Sequence, residues 1–566
     1  MCGYLCIISK NKKIYEIPNS LLKHRGPDST SLINYKNFTL QHWRLSIIDL
    51  TKTSNQPIQD DKSIFAYNGE VYDYQEIAER YKLNVKSDTW LVKHILDRPN
   101  GLNEVYQMEG FFSFISISKV ENQIIGARDI FGKKPLYYYI DSDVAIFASE
   151  EKAIIPFIKK IDINKKSISE YLLYKDNFFG KTYFKGIKEL VPGSSFLFNV
   201  KDWKLSLSDT WENYYKTDFK EKLKIKNDYS LDFNNQFFIK KYIQSAIKRR
   251  MKCDVPVQIA LSGGVDSALI ANFASKSKNI IRAINVSFDS DLDESSRAEF
   301  ISSKFELSFK KINFNISQFE NQLKEAIIKN NAPLSHPHYL AVSILCEEAK
   351  KHGKVLLTGE GADELFLGYS HYENFNGSFA FREYLTTKEE NLFINKKDLS
   401  KPSFSKIRFD TNIKDLRKTA LHSVTNSRDL EIKTHLLSLL RRNDRMSMAH
   451  SVEIRSPFLD HNLYSYVLNN VDINELAINR KSQLKDLFHY LNPGMLTFEK
   501  KIGFTIPFDK NFPKIILGNN AKIWLNKALN YLDKNLDLKI KDQKEISPRL
   551  GWSLLNIGCF LDSIKN

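Results

Sequence analysis

Residues 262–267 read Ser-Gly-Gly-Val-Asp-Ser, and their flanks leave few options for the local fold. Before them Val255 to Leu261 form an apolar run of strand length, and after them Ala268 to Ala274 read as the start of a helix. A strand, a turn built on Gly263 and Gly264 and a helix N-terminus make an anion site. Backbone N–H groups and the helix dipole converge where the glycines let the chain approach a phosphate closely. Ser262 and Ser267 add hydroxyl donors. Asp266 is the odd residue, because a carboxylate repels phosphate unless a cation lies between them. It makes sense as a ligand of a Mg²⁺ that the phosphates share. No Gly-Lys-Ser/Thr follows the glycines, which excludes a Walker A loop serving γ-phosphate transfer.

From about Phe237 onward strands and helices alternate, the pattern of a parallel sheet wrapped by helices. A second strand is expected over Ile280–Phe288, ending before an acidic turn, Asp289 to Glu294. A third, Lys354–Thr358, runs into Gly359-Glu360-Gly361-Ala362-Asp363-Glu364. Loops at the carboxyl ends of parallel strands are where such sheets hold ligands. Thr358, Gly359, Glu360 and Asp363 therefore belong to the same crevice as Asp266. Carboxylates gathered beside a polyphosphate again imply Mg²⁺.

At 566 residues the chain holds more than one domain. Its first part has a different chemistry. Cys2 follows the initiator Met, whose removal would give Cys2 the free α-amino group. That amine, with an ordinary pKa of about 7.7–8.0 against about 8.5 for the thiol, can act as base for its own side chain. Downstream come a polar turn at His24–Ser29, a strand expected over Arg44–Asp49, a strand from Phe65 ending in Asn68-Gly69, and Ser87-Asp88-Thr89 before an amphipathic helix. Short strands and turns follow, and a two-layer sheet core flanked by helices is expected. Residues 201 to 235, with Trp203, Trp211, Tyr214 and Tyr215, read as a linker between domains at 1–200 and 236–566.

Cys2, Arg44, Asn68-Gly69-Glu70 and Asp88, in that order, resemble the N-terminal-nucleophile glutaminase domain of class II amidotransferases. The loop at Ser262–Ser267 resembles the pyrophosphate loop of ATP pyrophosphatases, and Asn443 to His461 is similar to a signature of glutamine-hydrolysing asparagine synthetases. The resemblance implies that Cys2 attacks the glutamine side-chain amide, with Asn68 and the Gly69 N–H as oxyanion hole. It implies that Arg44 clamps the glutamine α-carboxylate while Glu70 and Asp88 hold its α-amino group. On the second domain it places Leu261 and Val286 beside the adenine, Asp266 and Asp363 on Mg²⁺, Lys481 on the phosphates and Glu360 near the incoming ammonia. Most of the Asn443–His461 stretch is expected to be architectural. The implied reaction adenylates a carboxylate, L-aspartate first, with MgATP, and amidates it with ammonia passed internally from Cys2.

One stretch departs from that pattern. Where a Thr-Ile-Arg-like segment is expected for aspartate, the chain has Ala332-Pro333-Leu334-Ser335-His336-Pro337-His338-Tyr339, without the arginine. Another carboxylate, such as a sugar acid of surface-polysaccharide synthesis, is the alternative acceptor. The net charge of +16 comes without an Arg-rich tract carrying interleaved aromatics, so nucleic acid is not an expected partner. The expected partners are small molecules, with a homodimer left open. No apolar run approaches bilayer length, and no basic segment opens the chain as in a signal peptide. Five scattered cysteines suit neither a disulfide framework nor a zinc site, and a reducing cytoplasm is the simplest home.

Overall fold

The computed structural model describes residues 2–177, 180–209, 231–288, 293–369, 432–495, 498, 508–540 and 545–564. The amino-terminal strands are β1 (Cys2–Ser9), β2 (Ser29–Tyr35), β3 (Phe38–Arg44), β4 (Ile58–Gln59), β5 (Ser63–Val71), β6 (Gly110–Ser118), β7 (Gln123–Arg128), β8 (Tyr137–Ile140), β9 (Val144–Ala148), β10 (Lys188–Glu189), β11 (Ser194–Asn199) and β12 (Lys204–Asp209). They build two six-stranded sheets, ordered β10-β8-β9-β1-β3-β2 and β12-β11-β7-β6-β5-β4.

Alternation along β1 decides the layering. Tyr4, Cys6 and Ile8 join Ile64, Ala66 and Ile117 in a core between the sheets. Leu5 and Ile7 join a second core with Ile168 and Tyr171. A strand apolar on both faces needs cover on both, and here it has a sheet on one and a helix on the other. Across the sandwich Phe147 and Phe196 stack with ring centroids 4.5 Å apart. The far face of the second sheet packs Phe65, Tyr67 and Val71 with Leu91, Val92 and Ile95 of helix α1 (Asp88–Leu96).

Two local expectations change. The strand expected over Arg44–Asp49 ends at Arg44, because the chain beyond folds back so that its carbonyls meet the Arg44 guanidinium. Asn68-Gly69 does not end a strand. β5 runs through to Val71, with Gly69 opposite Phe112, and a Cβ at Gly69 would strike the Phe111 carbonyl.

The carboxy-terminal sheet has the order β15-β14-β13-β16-β17, with β13 (Val257–Ala260), β14 (Ile280–Ser287), β15 (Phe309–Asn313), β16 (Val355–Leu357) and β17 (Glu453–Arg455). Every pairing in it is parallel. β17 falls inside the stretch read as helix end and salt bridges. Helices α2 (Leu231–Arg250), α3 (Val265–Ala274), α4 (His338–Lys350), α5 (Leu437–Met448), α6 (Ser482–Leu491) and α7 (Pro548–Ser563) surround the sheet. Since β13 lies between β14 and β16, the loops after these three strands open side by side at one edge. The expected linker is shorter than 201–235, since β12 pairs with β11 and α2 begins at Leu231. Trp211, Tyr214, Tyr215 and the segment Lys501–Pro507 lie outside the described residues. Among the described residues no helix is long and apolar enough to cross a membrane.

The two halves meet through buried ion pairs. Arg441, Asp444 and Arg445 share one face of α5. Asp444 accepts from Arg25 at 2.8 Å, which also reaches Glu150 at 2.8 Å. Arg445 reaches Glu150 and Glu151, and Arg441 reaches Glu189 and Asp176. The architectural reading of Asn443–His461 agrees with the pairing of Asp444 and Arg445.

Candidate functional site

Antiparallel pairing of β1 and β3 sets Cys2 opposite Arg44 and Tyr4 opposite His42. The Cys2 backbone N–H donates to Asn68 Oδ1 at 3.1 Å, so the inner face of β5 meets β1 across the two layers. Asn68 is fully buried, and its Nδ2 has no partner among the described residues. An orphaned buried donor is costly in a folded protein and suits a group that receives an oxygen during turnover. Gly69 and Asp88 line the small cavity over Cys2, about 30 Å³ in volume. Asp88 accepts from the Val71 N–H at 3.1 Å. Burial pushes its carboxyl up to about 6, against the pull of that N–H.

Burial alone would raise the Cys2 thiol as well. The positive charge at the chain's amino terminus and the His42 imidazole, with hydrogen bonds from His42 and the Leu45 N–H, bring it instead to about 6. His42 was not singled out in the sequence. It lies two residues before Arg44 on β3 and so shares its face, a period-two signal that could have found it. Its Nε2 sits 3.2 Å from the Tyr67 carbonyl.

Two glutamine-site expectations look different in three dimensions. The Glu70 carboxylate, expected to hold an ammonium, is buried and accepts from the Arg455 guanidinium of β17. Its charge is shared with that buried arginine, and the residue lines the cavity over Cys2. Arg44 lines the same cavity, but its Nη atoms donate to the Thr51 carbonyl (2.7 Å), Asn55 Oδ1 (2.9 Å) and the Ile48 and Asp49 carbonyls. A carboxylate arriving there must displace some of these neutral oxygens, an exchange that its charge favours.

The second cavity, about 560 Å³, opens at the carboxyl edge of the parallel sheet. Leu261, Ser262, Asp266 and Ser267 reach it from the loop after β13, and Val286 from the end of β14. Gly263 has φ +91, and a Cβ there would lie 2.9 Å from the Glu294 carbonyl. The Ser262 N–H donates to Ser267 Oγ at 3.2 Å, and the two hydroxyls are 3.1 Å apart. From the loop after β16 come Thr358, Gly359 and Glu360, and Gly359 packs so closely that a Cβ would lie 2.9 Å from that of Asp266.

Lys481, just before α6, places its ammonium 2.8 Å from Asp363 and also pairs with Asp266. Burial would depress this lysine, but the two carboxylates hold its pKa above the ordinary range. Two carboxylates thus converge on one cation at the mouth of the phosphate loop. Oxygen donors in that number fit Mg²⁺, which takes one or two carboxylates and completes its shell with phosphate and water. Among the described residues no group of three or more His, Cys, Asp or Glu side chains is arranged to hold a metal.

Glu360 is engaged in a way the sequence did not indicate. Its Oε2 accepts from the Arg442 guanidinium and from Asn443 Nδ2 at 3.0 Å. Both donors sit on α5, turned away from the face that binds the amino-terminal half. Opposite them the cavity is walled by His336, His338 and His435, with ring centroids 5.1 Å apart for the first pair and 6.5 Å for His336 and His435.

The sequence profile of the asparagine synthase family matches residues 239–554, more than half of the chain. The chain belongs to this family. A glutamine amidotransferase domain profile matches residues 1–211, across the two-sheet half and past β12. As a family member with that domain, the chain is an ATP-dependent glutamine amidotransferase ligase, and its mixed fold is the expected pair of a two-layer sheet domain and a parallel-sheet domain. The glutamine-hydrolyzing asparagine synthetase 1 of Bacillus subtilis (strain 168) is 26% identical over 98% of this chain and 95% of its own length. A putative glutamine-hydrolyzing asparagine synthetase 2 of Methanocaldococcus jannaschii is 28% identical over 66% of this chain and 76% of its own length. The amidase chyE of Penicillium rubens is 28% identical over 62% of this chain and 54% of its own length. Relatives of this family thus carry more than one name for their activity.

Proposed function

We propose that the chain is a glutamine-dependent asparagine synthetase, taking ammonia from glutamine at Cys2 and delivering it to an adenylated L-aspartate in the carboxy-terminal cavity. The observation that carries this reading is the convergence of the Ser262–Ser267 loop, Asp266, Asp363, Lys481 and Glu360 on one cavity. The same chain presents a low-pKa thiol beside an Asn68 Nδ2 that has no partner among the described residues.

At the first site the Cys2 thiolate attacks the glutamine amide carbon. The oxyanion that forms is met by Asn68 Nδ2 and the Gly69 N–H, and the departing nitrogen takes a proton to leave as ammonia. Arg44 binds the substrate α-carboxylate, and Asp88 and Glu70 bind its ammonium. Water then releases glutamate from the thioester. Ammonia passes through the interior between the halves, where Arg441, Arg445, Glu151 and Tyr339 line a small cavity.

At the second site Leu261 and Val286 border the adenine, and the loop amides with Ser262 and Ser267 hold the phosphates. The aspartate β-carboxylate attacks the α-phosphorus and pyrophosphate leaves. Asp266 and Asp363 would hold Mg²⁺, which when bound would supply positive charge to that leaving group. Lys481 adds charge beside it. Thr358 and Gly359 wall the site next to Glu360, which orients ammonia for attack on the acyl carbon. AMP then departs.

A second reading, another carboxylate as acceptor, is favoured by the histidines at 336 and 338 in place of an arginine. Purified protein given glutamine, MgATP and either L-aspartate or a uronic acid decides between them through pyrophosphate and amide product. Asparagine is expected. Pyrophosphate from the uronic acid alone reverses the order, and none from any carboxylate, with intact glutamine hydrolysis, ends both readings.

A further inference from the structure

We propose that Arg442 is the residue that recognises the second carboxylate of the acceptor, and that it does so by exchanging partners with Glu360. The inference rests on the aspartate reading and adds a specificity-determining residue to it. Arg442 comes from α5, far in sequence from the segment at 332–339 where an arginine is lacking.

The guanidinium is 7% exposed and lines the nucleotide cavity. Nε donates to Asn443 Oδ1 at 3.1 Å and Nη2 to Glu360, while Nη1 has no partner among the described residues. An arginine has five donors in a planar fork that suits a carboxylate, so a buried one with an idle edge on a ligand cavity is built to accept another anion. Two of the cavity's other cations, Lys481 and Arg297, are already paired with carboxylates, while Arg480 and Lys485 also line it. Lys481 is held by two carboxylates, and Arg297 pairs with Glu294 at 2.9 Å.

His336, on the same cavity, does not compete for the acceptor's charge. Burial, followed by the neighbouring charge of His338, Arg442 and His435, holds the His336 imidazole well below its ordinary pKa. His336 is therefore a neutral ring at working pH, and both its ring nitrogens lack partners among the described residues. Arg442 is then the permanent positive charge beside Glu360. An aspartate whose β-carboxylate faces the phosphate loop carries an α-carboxylate and an α-ammonium at its other end. The α-carboxylate matches Arg442, which replaces its internal carboxylate partner with the substrate's and leaves Glu360 to face the incoming ammonia. The substrate class is an amino dicarboxylate.

β-Alanine is aspartate without its α-carboxylate, so the ratio of kcat/KM for the two isolates the group in question. With saturating MgATP and ammonium chloride, and pyrophosphate as readout, the wild-type enzyme is expected to favour aspartate strongly. Arg442→Met should lower that preference by roughly 10- to 100-fold, the range for one charged hydrogen-bonded contact. Arg442→Lys keeps the charge without the fork and should retain part of the preference. An unchanged ratio in Arg442→Met overturns the assignment, as does a Lys variant that loses both acceptors equally while keeping its melting midpoint, since that marks a purely structural hold on Glu360. A wild-type enzyme that releases no pyrophosphate with aspartate removes the acceptor reading first and the clamp with it.

Discussion

Arg455 closes its guanidinium on the carboxylate of Glu70, joining the last strand of the parallel sheet to the strand end beside the Cys2 pocket. The same residue's carbonyl accepts from the Thr358 N–H at 2.9 Å, and its Nε donates to Glu453 at 2.8 Å. Glu70 directly follows Gly69, and Thr358 directly precedes Gly359 and Glu360. One buried side chain and its own backbone therefore touch the walls of both cavities.

Arg455→Met should destabilise the protein by about 3–5 kcal/mol, because it leaves Glu70 and Glu453 buried without their counter-charge. The shift in the chemical denaturation midpoint measures this. A change below about 1 kcal/mol would mean that water or another cation takes over at the interface.

The pH dependence of glutamine hydrolysis follows from two groups. Cys2 is brought down to about 6 and Asp88 is pushed up to about 6. Below that pH the thiol holds its proton and cannot attack, and the Asp88 carboxyl is neutral and cannot pair with the substrate ammonium. Both losses act in the same direction. kcat/KM for glutamine should climb through pH 6 more steeply than one ionisation allows, then level off near neutrality. Asp88→Asn should flatten the climb to a single ionisation and raise KM. A wild-type profile still rising above pH 8 would show that the thiol is not lowered.

Cys2→Ala should abolish glutamine hydrolysis, since the variant has no thiol to form the thioester, and leave synthesis from added ammonia. Glutamate production is the readout. Hydrolysis persisting in the purified variant would move the nucleophile elsewhere.

The legible parts of this chain were those where a local pattern carries the chemistry. Ser262 to Ser267 announced a strand, a phosphate loop and a helix, because two glycines and flanking apolar runs leave little else. The succession of short strands and turns in the first half implied a two-layer core. What stayed hidden depends on partners hundreds of residues away. Nothing near Glu70 shows that Arg455 will claim its carboxylate, and nothing near Glu360 points to Arg442. The stretch from Asn443 read as mostly architecture, and Asp444 and Arg445 do tie the halves together, but the helix has another side. Arg442 and Asn443 use it to reach the nucleotide cavity. The end of the strand at Arg44 was missed for a related reason, since the guanidinium organises the loop after it.

The last prediction concerns the cation site. Asp266 and Asp363 share the Lys481 ammonium, so some of their mutual repulsion is already neutralised without metal. A divalent ion entering between the carboxylates and a polyphosphate must compete with that ammonium, and it prevails through its higher charge and the phosphate oxygens it brings. Removing one carboxylate weakens the metal's hold and leaves Lys481 with a single partner. Asp266→Asn should lower pyrophosphate release by roughly 10²-fold or more and raise the Mg²⁺ concentration needed for half-maximal release, with glutamine hydrolysis still measurable. Asp363→Asn should act in the same direction. Chelation should stop pyrophosphate release in the wild-type enzyme, and added Mg²⁺ should restore it. Pyrophosphate release from Asp266→Asn at the wild-type rate and the wild-type Mg²⁺ requirement would remove Asp266 from the metal and leave it as the counter-ion of Lys481 alone.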